Sequence, residues 1–284
     1  VVVASATIDE TKFLEFLECK NGALKVPGRI FPVTLEYQPP SDQQSNQQSR
    51  FAYIHQHVVP TVINTMKEKT VGHALVFLPG QEEIEKALNQ FQLLKEPNWV
   101  GLPLYGSLPP DEQKKVLDFN VNAGEEKRMV CFCTNIAETS LTVSGVTLVF
   151  DSGLAKEAVY IPERRTTVLN LCFISRSSCE QRKGRAGRIA AGHCVRLFKE
   201  TDITRDQIEP EIARSSLDSV VLQLTKMGQD PVAFPYMDPP QQSSLLSSRA
   251  MLVNLGLIDQ TTSKITPRGS LVSEMDFDPR LASF

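Results

Sequence analysis

Three side chains in the segment QRKGRAGR (residues 181–188) could act together on an anion. On an α-helix, Gln181, Arg185 and Arg188 are spaced i, i+4 and i+7, so they fall within about 60° of each other. Arg182 lies off this stripe. A guanidinium is planar, always charged and able to bind two phosphoryl oxygens at once. The pattern therefore indicates stabilisation of charge on a polyphosphate, as phosphoryl transfer requires.

Two glycines interrupt the same segment. Gly184 and Gly187 should each cost about 1 kcal/mol inside a helix, so we expect another part of the backbone to approach them closely. The alternative is a solvated basic helix, which has no use for interior glycines.

The elements around this segment alternate between strand-like and helix-like patterns. The predicted helices are Tyr53–Lys67, Glu82–Leu94 and Pro110–Leu117, and the predicted strands are His73–Leu78, Val100–Tyr105, Arg128–Cys133 and Thr147–Asp151. This order predicts an α/β fold with a mostly parallel sheet that is covered by helices on both faces.

The N-terminal part is expected to contain a buried strand at Val1–Val3 and an amphipathic helix through Phe13, Phe16 and Leu17. The polar stretch at Gln38–Arg50 has no apolar side chain to bury, and we expect a mobile surface loop there.

A β-hairpin is expected at Gly153–Ser175, because apolar runs flank the polar sequence PERRTT, which carries Arg164 and Arg165. Beyond it, an apolar stripe from Leu217 to Leu224 predicts a helix that ends near Gly228. A helix ending at 255–256 is followed by short strand-like pieces, an order compatible with a winged helix.

Composition limits the functional classes. The chain has 284 residues, 41% of them hydrophobic, and a net charge of −3, so nucleic-acid binding would need a local basic patch. Residues 151–200 provide one, with ten Lys or Arg against five Asp or Glu. The six cysteines form no CxxC pair, which indicates reduced thiols, no metal site and an intracellular location. No apolar run reaches the roughly 18 residues of a membrane span.

QRKGRAGR occurs together with four other segments: SAT at 5–7, LVFLPGQEEIE at 75–85, LYGSLPPDEQ at 104–113 and TNIAETSLT at 134–142. In order and spacing, this set resembles the DEAH-box (DEAH/RHA) family of superfamily 2 RNA helicases over nearly the whole chain. The Gln that opens QRKGRAGR favours this family over the DEAD-box helicases, which have His there.

The resemblance implies a domain organisation. Residues 1–27 would be the end of a first RecA-like domain, and residues 28–202 a second RecA-like domain with a β-hairpin insertion. A winged-helix domain would follow at 203–269, and a helical ratchet domain would start at 270–284.

The resemblance also implies roles at a nucleotide. Gln181 would position the attacking water, while Arg185 and Arg188 would contact the terminal phosphates. Thr142 would lie at the nucleotide, and Ser5 and Thr7 would couple hydrolysis to motion.

On the RNA side, Thr134 and Asn135 would hold the backbone of the nucleic acid, and Gly80 and Ser107 fall in segments that meet it. Gly80 could equally be a simple strand-to-helix turn. The hairpin with Arg164 and Arg165 resembles the strand-separating hairpin of the family.

Two positions depart from the family pattern. Leu117 stands where the family usually has a Phe that stacks on adenine, and Ser144 stands where an Asp usually lies near the ribose. We expect relaxed selectivity for base and sugar, with the phosphate chemistry kept.

Neither a GxxxxGK[ST] motif nor a DExH motif occurs in the chain. ATP, or another NTP, and Mg²⁺ would therefore be held mainly by a first RecA-like domain upstream, and we expect truncation rather than natural loss. The chain alone should not hydrolyse ATP. The resemblance implies RNA-stimulated hydrolysis, 3′ to 5′ translocation on RNA with a single-stranded region or 3′ overhang, a possible G-patch-type activator, no membrane partner, and a nuclear or cytoplasmic location.

Two alternatives stay open beside an enzyme. A catalytically degenerate relative could serve as an RNA-binding scaffold, with Leu117 and Ser144 as signs of decay, although the retained Gln181, Arg185 and Arg188 argue against it. A winged-helix DNA binder would need a basic recognition helix, and the helix at 217–227 carries only Lys226.

Overall fold

Strands and helices alternate through most of the chain. The computed structural model describes residues 2–4, 10–19, 22–26, 28, 31–39, 47–69, 71–119, 127–138, 141–162, 164–275 and 277–283, with the side chains of 47–55 left out. The chain divides into two units. The sheet unit comprises Lys25–Glu157 and Leu171–Ile208, and the helical unit comprises Val1–Leu24, Ala158–Asn170 and Glu209–Phe284.

Six strands form the sheet of the sheet unit: β1 (Val33–Tyr37), β2 (His73–Phe77), β3 (Trp99–Leu104), β4 (Arg128–Cys133), β5 (Val146–Asp151) and β8 (Gly192–Arg196). Their order is β1-β8-β5-β2-β4-β3, and every neighbouring pair is parallel. Strands β6 (Leu154–Ile161) and β7 (Thr166–Phe173) pair separately. The parallel sheet and the hairpin predicted from the sequence are confirmed.

Helices accompany the strands in the order that parallel connections require. They are α1 (Glu10–Phe16), α2 (Gln47–Glu68), α3 (Gln81–Leu93), α4 (Pro110–Leu117), α5 (Arg176–Gly184), α6 (Glu211–Arg214), α7 (Asp218–Lys226), α8 (Gln242–Asn254), α9 (Pro267–Ser273) and α10 (Pro279–Ala282). Short 3-10 turns lie at Asn135–Ala137 and Glu200–Asp202. α4 and β4 have the predicted bounds, and the other predicted strands and helices of the sheet unit differ at one or both ends.

Both faces of the sheet are buried. Along β2, Ala74 and Val76 point into a cluster with α2 and α3, whereas Leu75 and Phe77 point into a second cluster with Val116 of α4. All five residues of β2 are buried, as expected for a central parallel strand. Coverage on two faces is therefore confirmed.

Two predictions near the N-terminus are wrong where the structure describes them. Val2 and Val3 are exposed and belong to no strand, while Val1 lies outside the described residues. Helix α2 already begins at Gln47, so the predicted loop is wrong for residues 47–50, and residues 40–46 lie outside the described part. Gln is a good helix former, so a polar stretch can extend a helix without apolar residues to bury.

The helical unit packs α7, α8 and α9 around a core with Leu222, Leu252 and Val272. Gly228 and Gly256 follow α7 and α8 with φ of +71° and +68°, the left-handed conformation that a glycine after a helix permits. Ile258 and Ile265 form an isolated antiparallel bridge where strand-like pieces were predicted. Within the described residues, no helix is both long and apolar enough to cross a bilayer.

Candidate functional site

The carboxyl ends of the central strands bring several predicted residues to one edge of the sheet. The backbone N–H of Leu78, after β2, donates to the carbonyl of Cys133 at 2.8 Å, and Thr134 N–H donates to Leu104 O at 3.1 Å. Because parallel strands end on the same side, the segments that follow β2, β3 and β4 lie together. We call the predicted residues of these segments the sheet edge: Gly80, Ser107, Thr134 and Asn135.

Polar groups of the sheet edge are open to ligands. Asn135 and Ser107 are exposed, and Thr134 is half-buried as the residue that precedes the 3-10 turn. Ser107 Oγ donates to Gln81 Oε1 at 3.2 Å, so the segments after β2 and β3 contact each other.

Gly80 is buried and lies directly before α3. A Cβ built on it would lie 2.9 Å from Lys156 Nζ and 3.0 Å from Glu83 Oε2, two atoms that form an ion pair of 2.9 Å. This close packing accounts for a glycine at the turn from strand to helix. The contact between Gly80 and RNA stays a prediction.

Helix α5 carries only part of the segment QRKGRAGR. It begins after Ser175, whose Oγ accepts from Ser178 N–H at 3.2 Å, and its last residue is Gly184. Gln181 is half-buried on this helix, Arg185 follows directly after it, and Arg188 lies beyond it. The predicted continuous helical stripe is therefore wrong for Arg188.

The two glycines differ in their surroundings. At Gly187 an added Cβ would lie 2.6 Å from the carbonyl oxygen of Phe31, and Phe31 N–H donates to Gly187 O at 2.9 Å. The expected close backbone approach is confirmed there. At Gly184 an added Cβ meets nothing within 4 Å, so the same expectation is wrong.

Arg182 is the most buried charged side chain of the segment, with no exposed surface. Its Nη1 lies 2.8 Å from Asp151 Oδ1 and its Nε 3.1 Å from Glu138 Oε2, and its guanidinium stacks over Phe77 at 4.9 Å. Burial alone would lower the pKa of Arg182, but the two carboxylates outweigh it and raise that pKa. Asp151 ends β5 and Glu138 follows β4, so Arg182 connects three elements.

Arg185 and Arg188 donate hydrogen bonds to the segment TNIAETSLT. Residues 139 and 140 of this segment lie outside the described residues. Arg185 is 6% exposed; its Nη1 donates to Leu141 O at 3.1 Å and its Nη2 to Glu138 O. Arg188 is exposed and its Nη1 donates to Thr142 Oγ1 at 2.9 Å. Burial, followed by the neighbouring charge of Arg188, lowers the pKa of Arg185 to about 10. We call Arg182, Arg185 and Arg188 the arginine cluster.

Sequence reasoning missed the carboxylates of the cluster. Glu138 and Asp151 carried a usable signal, because each is an acidic residue at or just after an apolar strand, a position from which burial with a cation follows. Arg182 carried another, since it points away from the predicted stripe and hence toward the sheet.

Leu117 and Ser144 lie on segments that approach each other around His73. Leu117 ends α4 and packs against the second core cluster, and Phe119 meets the His73 ring edge-on at 5.3 Å. Ser144 is exposed in the turn before β5, and an added Cβ on the next residue, Gly145, would lie 2.6 Å from the same ring.

The remaining predicted residues lie elsewhere. Arg164 and Arg165 are exposed at the tip of the hairpin β6–β7. Ser5 and Thr7 lie outside the described residues, so their predicted coupling role stays a prediction.

Comparison with known proteins bears directly on this arrangement. Residues 54–190 match the family described as Helicase conserved C-terminal domain, a range that contains the arginine cluster and the sheet edge. The chain is 37% identical to the human "Probable ATP-dependent RNA helicase DHX34" over 287 residues, covering 98% of this chain and 24% of that protein. Over nearly its whole length the chain is a homologue of DEAH-type RNA helicases.

The chain is similar to further helicases of this type. It is 36% identical to "ATP-dependent RNA helicase DEAH11, chloroplastic" of Arabidopsis thaliana, covering 99% of this chain and 16% of that protein. Crystal structures of the Escherichia coli DEAH/RHA helicase HrpB, 30% identical, match 98% of this chain with TM-scores of 0.79 and 0.82 and 33% and 34% of their own length. The chain thus spans about a quarter or less of the curated relatives and a third of the solved ones.

Proposed function

We propose that the whole protein is an ATP-dependent RNA helicase and that this chain supplies arginines to its nucleotide site and contacts to the RNA backbone. The observation that carries the proposal is that the guanidiniums of Arg185 and Arg188 lie close enough to repel each other. Within the described residues, neither guanidinium forms an ion pair with a carboxylate, and their mutual repulsion contributes to the lowered pKa of Arg185. A bound polyphosphate would relieve this repulsion.

Arg182 provides the contrast within the same segment. Its charge is already balanced by Asp151 and Glu138, so it has no capacity for an anionic ligand. Arg188 is exposed and each terminal nitrogen of a guanidinium carries two hydrogens, so it can hold Thr142 and still donate to a phosphate oxygen. In the proposed reaction both Arg185 and Arg188 stabilise charge on the terminal phosphate, and Gln181 positions the attacking water.

A first RecA-like domain, partner to the second one in this chain, would complete the nucleotide site. Because the chain contains neither a GxxxxGK[ST] nor a DExH motif, Mg²⁺ and most of the NTP would be bound by that other domain. The 284 residues alone are therefore proposed not to hydrolyse ATP.

The sheet edge is the proposed contact for the RNA backbone. Asn135, Thr134 and Ser107 present neutral donors at one edge, and such groups bind phosphate and sugar without reading base sequence. The proposal also includes translocation from 3′ to 5′ and strand separation at the tip of β6–β7. It further includes a winged-helix domain at 203–269 and a ratchet domain from 270. A G-patch-type activator and a nuclear or cytoplasmic location belong to it as well.

RNA-stimulated ATP hydrolysis by the full-length protein tests this function. Arg188→Ala should lower kcat by about 10³-fold or more, the range known for arginine fingers, with RNA affinity kept. Its melting temperature should stay unchanged because the side chain is exposed. Arg176→Ala is the matched control, since Arg176 is an exposed arginine at the start of α5 that pairs with Asp206.

A different result would favour the scaffold alternative. A full-length protein that binds RNA but shows no RNA-stimulated hydrolysis would be a degenerate relative. Competition between ATP, GTP and deoxynucleotides then addresses Leu117 and Ser144: we expect weak discrimination, and a strong preference for ATP would contradict the proposed relaxation.

A further inference from the structure

The hairpin β6–β7 is divided between the two units. Its stem, residues 154–157 and 171–173, belongs to the sheet unit, and its distal part, Ala158–Asn170, belongs to the helical unit. In the stem, Arg205 Nη1 lies 2.8 Å from Glu157 Oε2 and its Nη2 donates to Phe173 O at 2.6 Å. One arginine thus ties both strands of the stem to the sheet unit.

A second arginine, Arg280 of α10, holds the tip. Its Nη1 donates to the carbonyl of Arg165 at 2.9 Å, and its guanidinium lies over the ring of Tyr160 at 5.9 Å. Arg165 has φ of +49°, a conformation that non-glycine residues adopt rarely and that persists when neighbouring contacts enforce it. The hydrogen bond from Arg280 is such a contact.

Arg280 is itself fixed by two carboxylates. Its Nη2 lies 2.9 Å from Asp278 Oδ2, and its Nε lies 3.6 Å from Asp218 Oδ2. Asp218 is 2% exposed, and neither of its carboxylate oxygens has a hydrogen-bond partner among the residues that the structure describes. A buried carboxylate requires a nearby cation, so Asp218 keeps Arg280 in place.

A further contact supports the same attachment. Arg214 of α6 donates from Nη1 to the carbonyl of Ala158 at 3.3 Å, at the point where β6 passes into the helical unit. The distal hairpin is therefore tied to the helical unit at its start and at its tip.

We infer that Arg280 is a positioning residue that fixes the hairpin tip to the helical unit, so that any displacement of this unit carries the tip with it. The inference rests on the proposed function, in which the tip separates strands. Loss of the attachment should uncouple unwinding from hydrolysis, because the arginine cluster and the sheet edge belong to the other unit and keep their own contacts.

The experiment uses the full-length protein with the double substitution Asp218→Asn and Arg280→Gln. The double variant removes the hydrogen bond to Arg165 without leaving a buried charge at Asp218, which Arg280→Gln alone would do. Arg280→Lys is the second variant: it keeps the charge beside Asp218 but lacks the fork that reaches Asp278 and Arg165 together.

Two quantities are measured. Hydrogen exchange at the amides of Arg164 and Arg165, which now donate to Ile161 and Pro162 carbonyls at 3.2 Å, should become about tenfold faster in both variants. Base pairs unwound per ATP hydrolysed should fall about tenfold, with the RNA-stimulated ATPase rate within about twofold of wild type. Arg268→Gln is the matched control, because Arg268 also donates to a backbone carbonyl in the helical unit, that of Ser283.

The outcomes are distinct. Faster exchange with reduced unwinding per ATP, absent in Arg268→Gln, supports the inference. Unchanged exchange at the tip, or faster exchange with unwinding per ATP unchanged, overturns it while the helicase function stands. If the wild-type protein does not unwind RNA, the proposed function fails, and the exchange measurement still decides whether Arg280 holds the tip.

Discussion

The arginine cluster and the sheet edge are built in opposite ways. In the cluster, Arg182 and Arg185 are buried and cross-link the segment after β4 to α5. At the sheet edge, Asn135 and Ser107 are exposed side chains on a backbone that the sheet already holds. A substitution of a buried arginine of the cluster therefore weakens the fold, whereas a substitution at the sheet edge can change binding alone.

The exposure of the side chains increases along the arginine cluster. Arg182 has no exposed surface, Arg185 is almost covered and Arg188 is exposed. The loss of stability on substitution should therefore decrease from Arg182 to Arg185 to Arg188. Substitution of the exposed Arg188 is the one that tests activity separately from folding.

The largest effect on stability is expected for Arg182→Met. The change leaves Glu138 and Asp151 as buried carboxylates without their cation, which should lower the free energy of unfolding by about 3–5 kcal/mol. Denaturant unfolding of the protein measures it.

Two further variants sharpen this prediction. Neutralising all three groups, with Arg182→Met, Glu138→Gln and Asp151→Asn, should recover much of the loss, since no uncompensated charge remains. Arg188→Met should change stability by no more than about 0.5 kcal/mol, because it is exposed. Equal losses for Arg182→Met and Arg188→Met would show that burial does not divide the cluster.

The next effect compares the two glycines beside the cluster. Gly187→Ala places a Cβ 2.6 Å from Phe31 O and 2.8 Å from Val33 Cγ2, and the strain should cost about 1–3 kcal/mol. Gly184→Ala adds a methyl group to open space at the end of α5 and should gain up to about 1 kcal/mol. Thermal unfolding of both variants tests the pair, and a similar sign for both would contradict it.

Much of the sheet unit could be predicted from sequence because its patterns are local. β4 is an uninterrupted apolar run, and α4 opens with a proline at its first turn and keeps its apolar residues on one side, so both were bounded correctly. The edge strand β1 was missed, since its exposure alternates over only five residues beside prolines. β8, its partner, starts with Gly and His and shows no strong strand pattern.

The residues of the candidate site could be predicted from the sequence, but the contacts between them could not. Spacing alone placed Gln181, Arg185 and Arg188 on one helix, yet α5 ends at Gly184 because the chain must turn toward Phe31. The partners of Arg182 lie 31 and 44 positions earlier in the chain, and no local periodicity encodes such contacts. Long-range pairing is set by the sheet topology.

A smaller effect is expected at the sheet edge. Asn135→Ala removes one exposed amide, so RNA affinity should fall by about tenfold or less, because a typical hydrogen bond contributes a net of about 0.5–1.5 kcal/mol. Stability should stay within about 0.5 kcal/mol of wild type. Fluorescence anisotropy with single-stranded RNA at fixed salt measures it on the full-length protein, and Asn89→Ala, an exposed Asn of α3, is the control. If Asn135→Ala lowered the stability of the protein, the sheet edge would not differ from the arginine cluster in the way proposed.

The smallest effect concerns His73, which lies at the start of β2, where the segments of Leu117 and Ser144 meet. Its Nδ1 accepts from Met129 N–H at 3.1 Å, and burial, followed by the charge of Arg128, lowers its pKa below the usual 6.5. The unfolded chain then binds a proton near pH 6.5 that the folded protein resists, so stability falls as pH drops through 6.5 toward the folded pKa, by at most about 1.4 kcal/mol per pH unit.

His73→Gln keeps an acceptor for Met129 N–H but removes the titration. Its unfolding free energy should therefore change less than that of wild type between about pH 7.5 and 5.5, where the unperturbed histidine titrates. His57→Gln, at an exposed histidine of α2, should leave the slope of the wild-type protein in place. Because the ring contacts Phe119 and packs on Gly145, a pH slope that His73→Gln leaves unchanged would mean that these contacts do not hold His73 in its neutral form.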